Sequence, residues 1–228
     1  MILKALADYY HRLEEDPDIE IAPQGFEDKP IDYVVVIDAN GNFVNLRDTR
    51  EGVGRNRKGR PTRVPKGVKK ASGIVANLLW DTAPYTLGRA LPQKNKDYQK
   101  LSDRAAKQHD AFIDKIDSFF SGLDDVGILS LLVFLKNESH EPVFIHPLWS
   151  EIENGGGNIS FMLEGDDQLI CQRRKVINYI VANTKQTGVT QICALSGHSD
   201  VPVKLHTAIK GVWGAQSSGA NIEHPTHL

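Results

Sequence analysis

The pattern of apolar and polar positions along the chain predicts five helices. Apolar residues recur at about the helical period near the N-terminus and in the middle of the chain, as expected for amphipathic helices. Asp124 or Asp125 is a suitable N-cap for the helix that follows it. The predicted helices are Met1–Leu13, Lys69–Leu79, Asp97–Phe120, Asp124–Phe134 and Gln172–Asn183.

The clearest strand signal is a β-hairpin near the N-terminus. The β-branched run Tyr33–Asp38 is followed by Asn40-Gly41 and then by Phe43–Leu46. Asn-Gly between two such runs favours a tight turn, because both residues tolerate positive φ. Further strands are predicted at Ile159–Leu163, after a turn at 154–158, and at Thr190–Leu195 and Val201–Leu205.

Strands before and after a helical middle predict the α+β class. We expect a mixed or antiparallel sheet, with the hairpin near the N-terminus, packed by several helices. The segment Glu51–Gly67 is rich in Gly, Pro and basic residues and has no large apolar core residue, which predicts a long, extended and mobile basic loop.

Charge changes this picture, because the net charge of −2 hides a strongly basic segment. Ten of the 24 residues from Arg47 to Lys70 are Lys or Arg, and only Asp48 and Glu51 among them are acidic. A basic segment in an acidic body indicates a local phosphate contact, although many charged loops are merely solvated. The predicted phosphate-binding residues are Arg55, Arg57, Lys58, Arg60, Arg63, Lys66, Lys69 and Lys70.

A second candidate surface lies in the small, polar turn 214–221. Its glycines permit close approach to a groove, and its amide side chains suit base edges because each carries a donor and an acceptor. Asn77 is a further candidate, with a helix-surface or capping role as the alternative, and Trp80 is assigned to the core. The predicted base-reading residues are Asn77, Gln216, Ser217, Ser218 and Asn221.

Motifs for catalysis or metal binding are absent from the sequence. Cys171 and Cys193 are the only cysteines, form no Cys-x-x-Cys pair, and are better explained as small core residues. There is no Gly-x-Ser-x-Gly, no His-Glu-x-x-His and no Walker-type phosphate loop. We therefore expect no enzyme activity, no metal and no cofactor. The two cysteines, and the lack of a signal peptide or membrane span, predict a soluble cytoplasmic protein.

Several blocks, in order along most of the chain, resemble the large subunit of the type I-C CRISPR surveillance complex, Cascade. The most distinctive of them is Gly214-Ala215-Gln216-Ser217-Ser218-Gly219-Ala220-Asn221. The other blocks are residues 2–6 with 9–10, 21–26, 36–38, 48–52, 64–66, 72–74, 77–81, 158–161, 163–166 and 209–212.

The resemblance implies a non-catalytic DNA-recognition subunit. It would read the protospacer-adjacent motif (PAM) on duplex DNA and help to start unwinding, while a guide RNA reads the rest of the target. Its implied partners are target duplex DNA, the guide-RNA ribonucleoprotein, the backbone subunits including the one that holds the guide 5′ end, and a nuclease-helicase recruited by the assembled complex.

Family members are longer and continue into a C-terminal helical bundle. We therefore expect residues 1–222 to form the N-terminal PAM-recognition domain and residues 223–228 to be an atypical tail. Two alternatives remain open at this stage. The chain would dock on Cascade as a protein-interaction module without productive DNA contact, or it would be a nuclease that uses its histidines.

Overall fold

The computed structural model describes residues 2–16, 21–54, 57–70, 73–137, 139–184, 190–192, 197 and 199–201. The chain divides into two units, one formed by Glu20–Thr184 and the other by Met1–Ile19 with Lys185–Leu228. The helices are α1 (Ile2–Glu15), α2 (Ala83–Thr86), α3 (Tyr98–Phe119), α4 (Val126–Leu135), α5 (Glu141–Phe144), α6 (Trp149–Gly155) and α7 (Arg174–Asn183). The strands are β1 (Phe26–Ile31), β2 (Tyr33–Ile37), β3 (Phe43–Asp48), β4 (Arg50–Glu51), β5 (Lys58–Pro65), β6 (Trp80–Thr82), β7 (Asn158–Leu163), β8 (Gln191–Ile192) and β9 (Ser199–Asp200).

The larger unit is built on a four-stranded mixed sheet of order β3-β2-β7-β6. Strand β2 is buried along its whole length, which is why its sequence is a continuous apolar run rather than an alternating one. It pairs antiparallel with β3 and parallel with β7, so that Val35 lies opposite Leu46 on one side and Phe161 on the other. The α+β class and its mixed sheet are therefore confirmed.

The predicted hairpin is confirmed, and its turn has a local cause. One carboxylate oxygen of Asp38 accepts hydrogen bonds from the backbone N–H groups of Asn40 and Asn42, both at 2.8 Å. Gly41 has φ +79°, a conformation that a side chain would strain. The Asn-Gly signal therefore identified the turn correctly.

Helices α3 and α4 cover the sheet, and their starts agree with the prediction. Asp97 caps α3 by accepting from Gln99 N at 2.9 Å, and Asp125 caps α4 by accepting from Gly127 N at 2.9 Å. Phe112 of α3 and Phe134 of α4 both meet Phe161 of β7, with ring centroids 6.2 and 6.1 Å away. These aromatic contacts form the centre of the core.

The prediction of a mobile loop over Glu51–Gly67 was wrong for residues 58–65. These form β5, the central strand of a second, antiparallel sheet of order β1-β5-β4. Gly59 is required there, because a Cβ at this position would lie 2.3 Å from the carbonyl oxygen of Ile31. The Gly and Pro content that indicated a loop is tolerated because β1 supplies hydrogen-bond partners from a distant part of the sequence.

The predicted helix over Lys69–Leu79 was also wrong. The described residues of this stretch are irregular, with φ +86° at Gly73 and +63° at Leu79. The Asp81 side chain of the following strand accepts a hydrogen bond from Asn77 N here, and this contact competes with a helical ladder.

The smaller unit contains α1 and the antiparallel pair β8–β9. Helix α1 confirms the prediction over Met1–Leu13. Strand β8 lies within the predicted strand Thr190–Leu195, whereas β9 precedes the predicted strand Val201–Leu205, most of which lies outside the described residues. No helix among the described residues is long and apolar enough to span a bilayer.

Candidate nucleic-acid interface

The predicted phosphate-binding residues lie on and after one strand. Arg57 immediately precedes β5, and Lys58, Arg60 and Arg63 belong to it. Lys66, Lys69 and Lys70 follow in the irregular connection to β6. Of the other predicted site residues, Asn77 lies in the same connection, while Arg55, Gln216, Ser217, Ser218 and Asn221 lie outside the described residues.

Arg57 takes part in a network of ion pairs that extends to Glu151, outside the basic segment. Arg50 binds Asp48 through two hydrogen bonds, of 2.9 and 2.8 Å, and lies over the Tyr33 ring at 4.5 Å. Arg57 joins the same carboxylate, and both arginines also reach Glu151 of α6. Hydrogen bonds from Arg50 lower the pKa of Asp48 to about 2, so this carboxylate stays charged at neutral pH.

Arg60 and Arg63 are also paired, but at different depths. Arg60 binds Glu51 at 2.8 Å, and both side chains are largely exposed, so the pair is weak enough to exchange for a phosphate. Arg63 binds Asp28 at 2.7 Å with only 20 % of its side chain exposed, and this hydrogen bond lowers the pKa of Asp28. A phosphate would therefore replace Glu51 more readily than Asp28.

The lysines of the segment are the more accessible charges. Lys58, Lys66 and Lys69 are all exposed. Within the described part of the chain, Lys58 and Lys69 have no ion pair. Lys58 and Lys69 therefore offer positive charges that no described residue neutralises.

Lys70 is instead bound to the fold. Its ammonium group lies 2.7 Å from both carboxylate oxygens of the buried Asp81 and 3.8 Å from the centre of the Tyr85 ring. A charge held in this way stabilises the loop before β6 and is poorly placed to bind a phosphate, which would have to displace it from Asp81.

Asn77 has a structural environment. It is 5 % exposed, its side-chain oxygen accepts from Val68 N at 3.0 Å, and its own N–H donates to Asp81 at 2.9 Å. These contacts favour the structural alternative for Asn77, although its contribution to base reading is still a prediction. Trp80 is buried and donates from Nε1 to the carbonyl of Pro65 at 2.8 Å, which confirms its assignment to the core.

Sequence reasoning missed two acids that pair with the basic segment, Asp28 and Glu151. Glu151 lies 94 residues from Arg57 along the chain and 101 from Arg50. No local pattern signals such a pairing, because it depends on where the fold places α6.

The described residues contain no group of three or more His, Cys, Asp or Glu side chains that could hold a metal ion. Cys171 is buried, as predicted for a core residue, and burial raises the pKa of its thiol to about 12. That thiol is therefore neutral at physiological pH and a poor nucleophile. Cys193 lies outside the described residues.

Comparison with protein families gives one finding. The family model described as CRISPR-associated protein (Cas_Csd1) matches residues 6–222, which is nearly the whole chain. No curated protein matches the chain.

Proposed function

The chain belongs to the Cas_Csd1 family of CRISPR-associated proteins, and we propose that it is the non-catalytic subunit of a type I-C Cascade complex that reads the PAM on duplex DNA. The family match carries this proposal. The accessible lysines of the basic segment support it, because phosphate contacts supply most of the sequence-independent affinity for DNA. Base pairing by a guide RNA held in the same complex would then read the rest of the target.

The salt dependence of DNA binding tests the phosphate contacts. Lys58→Ala combined with Lys69→Ala should reduce the slope of log K against log salt by about 2, since each phosphate contact contributes roughly 0.9. The measurement is fluorescence anisotropy of a labelled duplex with the full chain over a series of salt concentrations. The control is Lys136→Ala with Lys175→Ala, which removes two exposed lysines elsewhere and should leave the slope unchanged.

An unchanged slope in the Lys58/Lys69 variant would contradict the proposal for the basic segment and show it to be solvated surface. Cutting of plasmid DNA by the pure chain with a divalent metal would contradict the non-catalytic role.

Base reading is expected at Gln216. Gln216→Ala should reduce the affinity difference between a duplex with the correct PAM and one with a mutated PAM by about 1–3 kcal/mol, the usual contribution of a paired base contact. Affinity for non-specific duplex should barely change. Equal losses on both duplexes would assign Gln216 to phosphate positioning, and no loss on either would remove it from the site.

A second candidate function is a protein-interaction module that docks on Cascade. The observation that favours it is the pairing of Arg57 and Arg63 with carboxylates of the chain itself, which leaves fewer charges for DNA. If the chain acts as this interaction module, the Lys58/Lys69 variant will no longer assemble with the other Cascade subunits, while the salt slope of its DNA binding will match that of the wild type.

A further inference from the structure

Helix α3 carries a row of basic side chains that lies outside the segment Arg47–Lys70. Lys100, Arg104 and Lys107 are spaced i, i+4 and i+7, which places them on one face of the helix, and all three are exposed. Lys96 precedes them just before the helix, and the four line an open groove of about 760 Å³. We call these four residues the α3 basic row.

The charges of the α3 basic row are not neutralised within the described part of the chain, where none of the four forms an ion pair. The two acids that line the groove are already hydrogen-bonded: Asp97 caps the helix through Gln99 N, and Asp103 accepts from the Gln99 amide at 2.9 Å. The groove therefore has more positive than negative side chains. Its basic residues also differ from Arg57 and Arg63 near β5, which are paired with acids.

Two acids lie near these charges. Asp103 is three residues after Lys100 and four before Lys107, and Asp97 is three before Lys100, but neither forms an ion pair with the row in the described part of the chain. The row therefore keeps a local excess of positive charge that an anion outside the chain can neutralise.

We propose that the α3 basic row binds the phosphate backbone of duplex DNA, as a second contact surface beside the basic segment; this inference rests on the proposed function. The row is straight and spans about 10 Å from Lys100 to Lys107 at roughly 1.5 Å per residue, which suits a rigid, evenly charged backbone. None of the described residues that line the groove is aromatic, whereas proteins that bind single strands usually stack bases on aromatic rings.

The connection from β5 to β6, which carries Lys69, also reaches this groove. Ile74, five residues after Lys69, lines the same groove as Lys100 and Arg104. Lys115 of α3 donates to the carbonyl of Ala76 at 2.6 Å and so holds the connection against the helix. A single duplex contacting both Lys69 and the α3 basic row is therefore part of the proposal.

The test replaces three basic side chains of the row by alanine in the full chain. Lys100→Ala, Arg104→Ala and Lys107→Ala together should keep the helical circular dichroism signal, because the three side chains are exposed and Ala favours helix. The variant should lower affinity for a labelled duplex at 50 mM salt by at least about tenfold and reduce the salt slope by between about 2 and 3. The matched control, Lys4→Ala with Lys136→Ala and Lys175→Ala, changes the net charge equally and should leave both quantities as in the wild type.

Each of the following results would overturn the inference. Wild-type affinity and slope in the triple variant would show that the row is solvated surface. A loss confined to single-stranded RNA of the same length would assign it to RNA. If the slope responds only to the Lys58/Lys69 variant, the proposed function stands and the α3 surface alone is refuted; if the wild-type chain binds no duplex at all, both fail.

Discussion

Replacing Asp81 by alanine should lower the free energy of unfolding by about 3 kcal/mol, because three groups depend on this one buried carboxylate. It accepts from the Lys70 ammonium group, from Asn77 N at 2.9 Å and from Thr82 N at 2.8 Å. Alanine leaves the two backbone N–H groups without an acceptor where little water reaches them. The ion pair itself contributes the smaller share, since the Lys70 side chain is 34 % exposed.

Urea unfolding followed by tryptophan fluorescence measures this loss, since Trp80 is buried beside Asp81. In thermal unfolding the same loss corresponds to about 6–12 °C for a chain of this size. Asp81→Asn keeps one oxygen acceptor, so it can satisfy one of the two backbone N–H groups, and it should cost less than alanine. The control is Asp117→Ala, which breaks a 2.8 Å pair with Lys136 in which both side chains are about half exposed. That pair should contribute less than about 1 kcal/mol, and equal losses for the two alanine variants would refute the role given to Asp81.

Acidification from pH 6.5 to pH 4 should reduce stability by roughly 3 kcal/mol through His140 alone. Burial lowers the pKa of this histidine from its usual 6.5 to about 4. Its Nε2 lies 3.0 Å from the Phe134 carbonyl, so the neutral ring donates there, and its ring also contacts those of Phe134 and His109. Because the unfolded chain takes up the proton first, stability is complete above pH 6.5 and is lost as the pH falls towards 4.

The pH range separates this effect from that of the paired carboxylates. The pKa of Asp48 is about 2, so its contribution is present above pH 3.8 and disappears only as the pH falls towards 2. His140→Gln should lower stability at pH 7 but remove most of the decline between pH 6.5 and 4. His11→Gln, which changes an exposed histidine of α1, should keep the wild-type decline. A decline in His140→Gln as steep as in the wild type would assign the proton uptake to another group.

The Asp81 prediction also describes how part of the candidate interface is supported. Asp81 holds the connection that carries Lys66 and Lys69, and α3 holds the same connection through Lys115. Lys69 is therefore followed by backbone that the fold holds in place, which reduces the entropy lost on binding.

Local features were predictable from the sequence for a physical reason: they depend on residues within a few positions of one another. The hairpin at Asn40-Gly41 and the helix starts at Asp97 and Asp125 follow from turn geometry and capping, which act over two to four residues. The continuous apolar run of β2 likewise indicates a strand buried on both faces. The ordered blocks that resemble a Cascade subunit were also visible without any structure, and the family match over residues 6–222 bears out the family.

Only the tertiary structure decided which of the basic residues remain available. Composition indicated a mobile loop, but pairing with β1 makes residues 58–65 a strand. Asp28 neutralises Arg63 of this strand, and Asp48 and Glu151 neutralise Arg57 just before it. Strand pairing and ion pairing join positions up to about a hundred residues apart, and neither propensity nor periodicity contains that information. The same holds for the α3 basic row, because only the structure shows that its four charges form no ion pair within the described part of the chain.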